Sequence, residues 1–322
     1  MITVPPRYRT AVDEVRSRLS GAEQMLFDVL CLSATLGQGL PQDDINYQDL
    51  KGTLNPRPAL MRGLRRIVAN GVPVTEADWQ RAGTRLARRL TRILAARDLS
   101  ARDADGRFEP LRSLLSFAPS IIGVDCRVPT HPILRAAWTT VITAFGAVHP
   151  SKVARLELPW VDRRRLETLA REARRESRPD RDASGATPGL SGRRLAVDPR
   201  LVSAVATALN EPVEPALIAR YVFYSRTGDY FWPHTDSLLV HVNVFLCLEH
   251  HLPAGSGPPS AFLGYRADGS VERFALNAGD AIAAHTQGLV HAREPLREGE
   301  RVTLLAIALQ PARRTSRRVR RA

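Results

Sequence analysis

Tyr224-Ser225-Arg226-Thr227-Gly228-Asp229-Tyr230-Phe231-Trp232-Pro233-His234-Thr235-Asp236 lies just past the point where helical patterning in this chain gives way to short strands. His234 and Asp236 are two residues apart, so on an extended segment their side chains leave the same side. A further histidine, His291, follows 55 residues after Asp236, room for several antiparallel strands to leave and return. Two imidazoles and one carboxylate fill one face of an octahedron, the ligand set of a non-haem Fe(II) site, and leave the opposite face open for chemistry. Ten residues beyond His291, Arg301 and Thr303 begin the apolar run that continues to Leu309. On a strand those two share a face. A buried guanidinium there needs a carboxylate, which arginine binds through two parallel hydrogen bonds.

With Gly279-Asp280 and His291, the Tyr224–Asp236 stretch resembles the Fe(II)/2-oxoglutarate-dependent dioxygenases of the prolyl-4-hydroxylase type. The resemblance covers roughly residues 150–310 and is strongest in its last 90. It implies that His234, Asp236 and His291 hold Fe(II), and that Arg301 with Thr303 clamps the distal carboxylate of 2-oxoglutarate. It also brings Tyr224 close to a tyrosine that often reaches the co-substrate, with one extra residue before Gly228. Asn243, on the next strand, is expected to face the same pocket. Where many relatives carry Gly-Gly-x-x-x-Phe, this chain has Gly255-Ser-Gly257-Pro-Pro-Ser-Ala-Phe262. Asp236 argues against a halogenase, and Val302-Thr303 after Arg301 departs from the pattern of nucleic-acid demethylases. His241, His250, His251 and His285 lie between the proposed ligands. His285 competes with His291 for third ligand but fits the family spacing to Arg301 poorly.

The implied fold is α+β: a double-stranded β-helix (jelly-roll, cupin-like) catalytic core over residues 149–310, a helical N-terminal region over 1–148, and a basic tail at 311–322. Helical stripes support the first part. Val12, Val15 and Leu19, then Leu26, Val29 and Leu30, recur with a break near Gly21. Thr75 caps a stripe of Trp79, Ala82, Leu86, Leu90 and Leu94, with Asp78 three residues on. Residues 132–145, 163–175 and 199–209 read as further helices. Gly37–Pro58 and 177–193 read as loops. Strands are expected at 153–160, 216–224, 238–248, 260–265, 271–276, 281–284 and 302–309, with Asp268-Gly269 as a hairpin turn.

The 322 residues are 44% hydrophobic, ordinary for a globular core, and carry a formal net charge of +13. All but Lys51 and Lys152 of the 46 basic residues are arginine, which reads as codon bias rather than a nucleic-acid footprint. Six arginines crowd the last ten residues. Cys31, Cys126 and Cys247 form neither a disulfide framework nor a zinc knuckle, which suits a reducing, cytoplasmic setting. Neither a signal peptide nor a membrane-spanning segment is expected. The expected function is oxidation of an unactivated C–H of an amino acid, peptide or specialised metabolite, with dioxygen consumed and succinate and CO2 released. Two rivals are a non-catalytic metal-binding jelly roll, acting as sensor or structural protein, and a nucleic-acid-directed oxygenase.

Overall fold

The computed structural model describes residues 4–38, 56–71, 74–96, 110–177, 185–236 and 239–312. Among the described residues, seven helices come first: α1 (Pro6–Arg16), α2 (Gly21–Gln38), α3 (Arg57–Ala69), α4 (Glu76–Ala96), α5 (Pro110–Leu115), α6 (Ala118–Ile122) and α7 (Pro132–Val148). Strand β1 (Val153–Leu156), helix α8 (Arg163–Glu176), the short β2 (Gly185–Ala186) and helices α9 (Leu190–Ala196) and α10 (Pro199–Leu209) lead into the strand-rich part. There β3 (Val213–Tyr224), β4 (Phe231–His234), β5 (Val242–His251), β6 (Phe262–Tyr265), β7 (Val271–Phe274), β8 (Ala281–Ala284), β9 (Val290–Arg293) and β10 (Arg301–Pro311) follow one another.

The strands form two antiparallel sheets. One runs β1-β8-β5-β10-β3-β2 and the other β4-β9-β6-β7. Period-two alternation divides each long strand of the larger sheet between two cores. Leu305, Ile307 and Leu309 of β10, Val242, Val244, Leu246 and Leu248 of β5, and Tyr221 of β3 pack outward with Leu169, Leu195, Leu201 and Val205 of α8–α10. Leu304 and Ala306 of β10, Phe245 of β5, and Val222 and Tyr224 of β3 point the other way, into the space between the sheets.

That inner core is continuous with the N-terminal helices. Leu26, Leu30, Leu86, Leu90 and Trp138 belong to the same buried cluster as Leu263, Tyr265, Leu289 and Val290. Trp138 meets Tyr265 edge-on, with ring centroids 4.9 Å apart. The α4 start follows from its cap, since Asp78 accepts from both the Thr75 backbone N–H (3.1 Å) and its hydroxyl (2.6 Å). Asp268-Gly269 makes the β6–β7 hairpin turn, with Gly269 at φ 86°.

Several sequence expectations are corrected. The segment read as a loop to Pro58 contains the end of α2 and the start of α3, while residues 39–55 lie outside those described. The loop read to residue 193 gives way at Leu190 to α9, because buried Glu172 of α8 accepts from the Ser191 and Gly192 amides at 2.7 and 2.9 Å. That cap is tertiary and leaves no local signal. β1 ends at Leu156, short of Trp160, and β10 runs through Pro311 into the span assigned to the tail. The rest of that tail, 313–322, lies outside the described residues. No helix among the described residues is long and apolar enough to cross a membrane.

Candidate metal centre and cavity

β4 and β9 are paired so that His234 stands directly opposite His291, and Phe231 opposite Arg293. The strand pairing itself brings two of the expected ligands together. Asp236 is positioned by its backbone, which donates to the Thr286 carbonyl at 2.9 Å. The three side chains converge, with Asp236 Oδ1 3.5 Å from His234 Nε2 and 3.9 Å from His291 Nε2. Each imidazole is held from behind: His234 Nδ1 lies 2.9 Å from the Trp232 carbonyl, and His291 Nδ1 3.1 Å from that of Leu289. A neutral imidazole donating through Nδ1 presents its Nε2 lone pair forward, the tautomer that ligates a metal.

The electrostatics suit a cation. Burial, with His234 beside it, pushes His291 down to about 4, so it is neutral at ordinary pH. Burial opposes ionisation of Asp236, but the neighbouring His234 and His291 outweigh it and hold the carboxyl well below the usual carboxylate range. One anionic oxygen and two imidazole nitrogens converge here, with the carboxylate 3.5 and 3.9 Å from the rings, a donor set that suits a divalent ion.

A second convergent set contains Glu211, His241 and His285. Its distances differ: the Glu211 carboxylate meets His241 Nε2 at 2.7 Å and His285 Nε2 at 2.8 Å. Those are hydrogen bonds, with one carboxylate bracing two rings. His285 therefore ties the β8–β9 loop to the end of α10 and does not complete the His234–Asp236 set. His250 is likewise engaged elsewhere, with Glu300 and the Leu276 carbonyl, each at 2.7 Å.

A cavity of about 300 Å³ opens beside the triad. Asp236, His234 and His291 line it, with Tyr224, Asn243, Phe245, Phe262 and Arg293 among their neighbours. Asn243 faces the cavity, but its amide donates to Asp236 Oδ2 at 3.1 Å, so in this structure it orients the Asp236 carboxylate. Tyr224 is buried against the cavity wall, under the Arg293 guanidinium.

Arg301 and Thr303 are not brought to the cavity, which corrects the clamp expected from spacing. β10 is in register with β3 so that Val302 pairs Tyr224 and Leu304 pairs Val222, both inward positions, whereas Thr303 pairs Phe223 on the helix-covered side. Arg301 shares that parity and is exposed at the strand end, opposite His251. The residues of β10 that line the cavity are Leu304, Ala306 and Ala308.

Three contributors escaped the sequence reading. Arg112 of α5 is 2% exposed, donates to the Gln287 carbonyl at 2.6 Å and to Thr235 Oγ1 at 3.1 Å, and stacks over Phe145. It thus grips the residue between His234 and Asp236 from 123 positions away. Ser120 of α6 donates to the Pro233 carbonyl at 2.9 Å. Neither contact has a sequence signature. Arg293 is the third surprise, two residues beyond His291 on the same strand; the period-two rule that links His234 to Asp236 would have found it, had β9 been recognised.

No protein-family model matches this chain, and no curated protein does. Among solved structures it is similar to a Pseudomonas putida prolyl-4-hydroxylase, at 21% identity and TM-score 0.37 over 54% of this chain and 99% of that one. The non-haem α-ketoglutarate-dependent epimerase SnoN from nogalamycin biosynthesis matches at 14% identity and TM-score 0.39, over 55% of this chain and 84% of that one. EctD from S. alaskensis, solved with 2-oxoglutarate and 5-hydroxyectoine, matches at 10% identity and TM-score 0.40, over 52% and 74%. The overlap takes in about half of this chain, and the functional reading rests on the site's own atoms.

Proposed function

We propose that this chain is an Fe(II)- and 2-oxoglutarate-dependent oxygenase whose metal ligands are His234, Asp236 and His291. The observation that carries the reading is the triad itself. Two Nε2 lone pairs and a carboxylate oxygen converge on a gap at the wall of a cavity, with both rings fixed from behind. The strand orders β8-β5-β10-β3 and β4-β9-β6-β7 support reading residues 149–310 as a double-stranded β-helix.

With 2-oxoglutarate and dioxygen, bound iron supplies oxidative decarboxylation to succinate and CO2, coupled to oxidation of an unactivated C–H bond. The protein's own part is placement. Asn243 fixes the second oxygen of Asp236, leaving Oδ1 for the metal. Phe231 and Phe262 pack against the ligand rings, at centroid distances of 4.3 Å to His234 and 5.3 Å to His291, and keep water from their edges. Ile218, Val240 and Ala308 make much of the remaining wall apolar. A substrate C–H presented there comes from a small molecule, an amino acid or a peptide side chain, and hydroxylation is the reading we favour. The cavity beside the ligands favours an enzyme over a metal-binding structural protein.

The test is anaerobic reconstitution with Fe(II) and 2-oxoglutarate, watching for the visible metal-to-ligand charge-transfer band. His234→Ala and Asp236→Ala should abolish the band and turnover while leaving far-UV circular dichroism unchanged. Either variant with stoichiometric iron and wild-type turnover would remove the ligand assignment.

A further inference from the structure

Resting on the reading above, we infer that Arg293, not Arg301, receives the distal carboxylate of the 2-oxo dicarboxylic acid. Arg293 is 3% exposed and lines the cavity that holds the triad. Its Nη2 donates to Ser260, at 2.8 Å to the hydroxyl and 3.3 Å to the carbonyl. Its Nε has no hydrogen-bond partner, and no carboxylate among the described residues lies within ion-pair distance of the guanidinium. The nearest acidic chains are spoken for: Glu300 holds His250 and Ser260, and Glu294 holds Arg273.

A buried guanidinium without a counter-charge is costly, and structures retain one when an anionic ligand offsets the cost. The surroundings fit a carboxylate. Ser260 fixes one side of the planar fork, the Tyr224 ring lies 5.4 Å from Cζ, and Nε is left to donate. Placement gives the chain length. Arg293 and His291 project from one face of β9, separated along the strand by about 7 Å, the repeat of two residues. That separation is comparable with the span of a five-carbon dicarboxylate chelating the metal through its 2-oxo acid end. Arg220 also lines the cavity but is only half-buried on β3 and can be solvated there.

The experiment measures affinity, not turnover. The protein is loaded with Fe(II) without oxygen and titrated with 2-oxoglutarate, and separately with 2-oxopentanoate, which has the same chain but no distal carboxylate. Calorimetry and the charge-transfer band report binding. Wild type should prefer 2-oxoglutarate by about thirtyfold or more, the order expected of a two-point charged hydrogen bond. Arg293→Met should erase that preference by weakening 2-oxoglutarate while leaving 2-oxopentanoate within about twofold. Arg293→Lys, which keeps charge but loses the fork, should fall between them and covers the case in which Arg293→Met does not fold. Arg301→Ala should match wild type. If Arg301→Ala or Arg220→Met erases the preference and the Arg293 variants keep it, the inference is overturned while the oxygenase reading stands. If wild type with iron bound takes up neither acid, both fall together.

Discussion

Burial, aided by the nearby charges of Arg112 and His241, pushes the pKa of His149 down to about 4. In the unfolded chain a histidine takes its proton near 6.5. Between those values the unfolded state binds more protons than the folded one, so stability rises with pH there and is lost on acidification from about 6.5 toward 4. The apo protein should therefore show a falling urea midpoint between about pH 7 and about pH 5. His149→Gln should fall less steeply, and identical slopes for the two proteins would discount His149 as a source. His291 has the same sign in the metal-free protein, and iron would hold it neutral where the unfolded chain takes up a proton, so metal should leave the acid-side fall at least as steep.

At the scale of elements, the β8–β9 connection bears much of the site. Thr286 accepts from Asp236, Gln287 from Arg112, and His285 is braced by Glu211. Gly288 lies in the middle of that run, where an added Cβ would collide with the backbone carbonyls of His149 and Pro150. Gly288→Ala should cost about 2–3 kcal/mol, the scale of an overpacked site that cannot relax, and should loosen iron binding as well, read by denaturation midpoint and metal affinity. The α8–α9 corner depends on Glu172, which accepts from two amides and from Tyr221 Oη at 2.7 Å while 4% exposed. Glu172→Ala strands three buried donors, and a loss of about 3 kcal/mol is expected with iron affinity nearly unchanged, since none of these groups touches the triad.

Across the whole molecule, the helical N-terminal region is bonded to the strand segment that carries His234 and Asp236 of the candidate triad. Arg112, Ser120 and Cys126 reach Thr235, Pro233 and Phe231 of the β4 segment, and Tyr265 of β6 donates to the Cys126 carbonyl at 2.8 Å. The shared core from Leu26 to Val290 has no seam at residue 148. Residues 149–312 expressed alone should therefore stay aggregated or molten, judged by near-UV circular dichroism and hydrogen exchange; a cooperative thermal transition in that fragment would show the helices to be dispensable. Arg112→Met in the full chain should destabilise by about 3 kcal/mol, the cost of two charged hydrogen bonds, and weaken iron binding through Thr235.

What the sequence determined by itself was local. The His234–Asp236 pair follows from the period-two geometry of extended backbone, and the α4 and α10 stripes from the helical repeat, because both depend on neighbours in the chain. The proposed third ligand and the proposed co-substrate arginine were not local questions. His285 and His291 both lie after β8, and only the pairing of β9 with β4 sets His291 opposite His234 while Glu211 draws His285 away. Arg293 and Arg301 were separated by strand parity: the register of β10 on β3 turns Arg301 outward, and β9 turns Arg293 inward. A shift of one residue in either register would have exchanged those faces. The grip of Arg112 on Thr235 is likewise a product of packing between segments far apart in the chain, where no spacing rule operates.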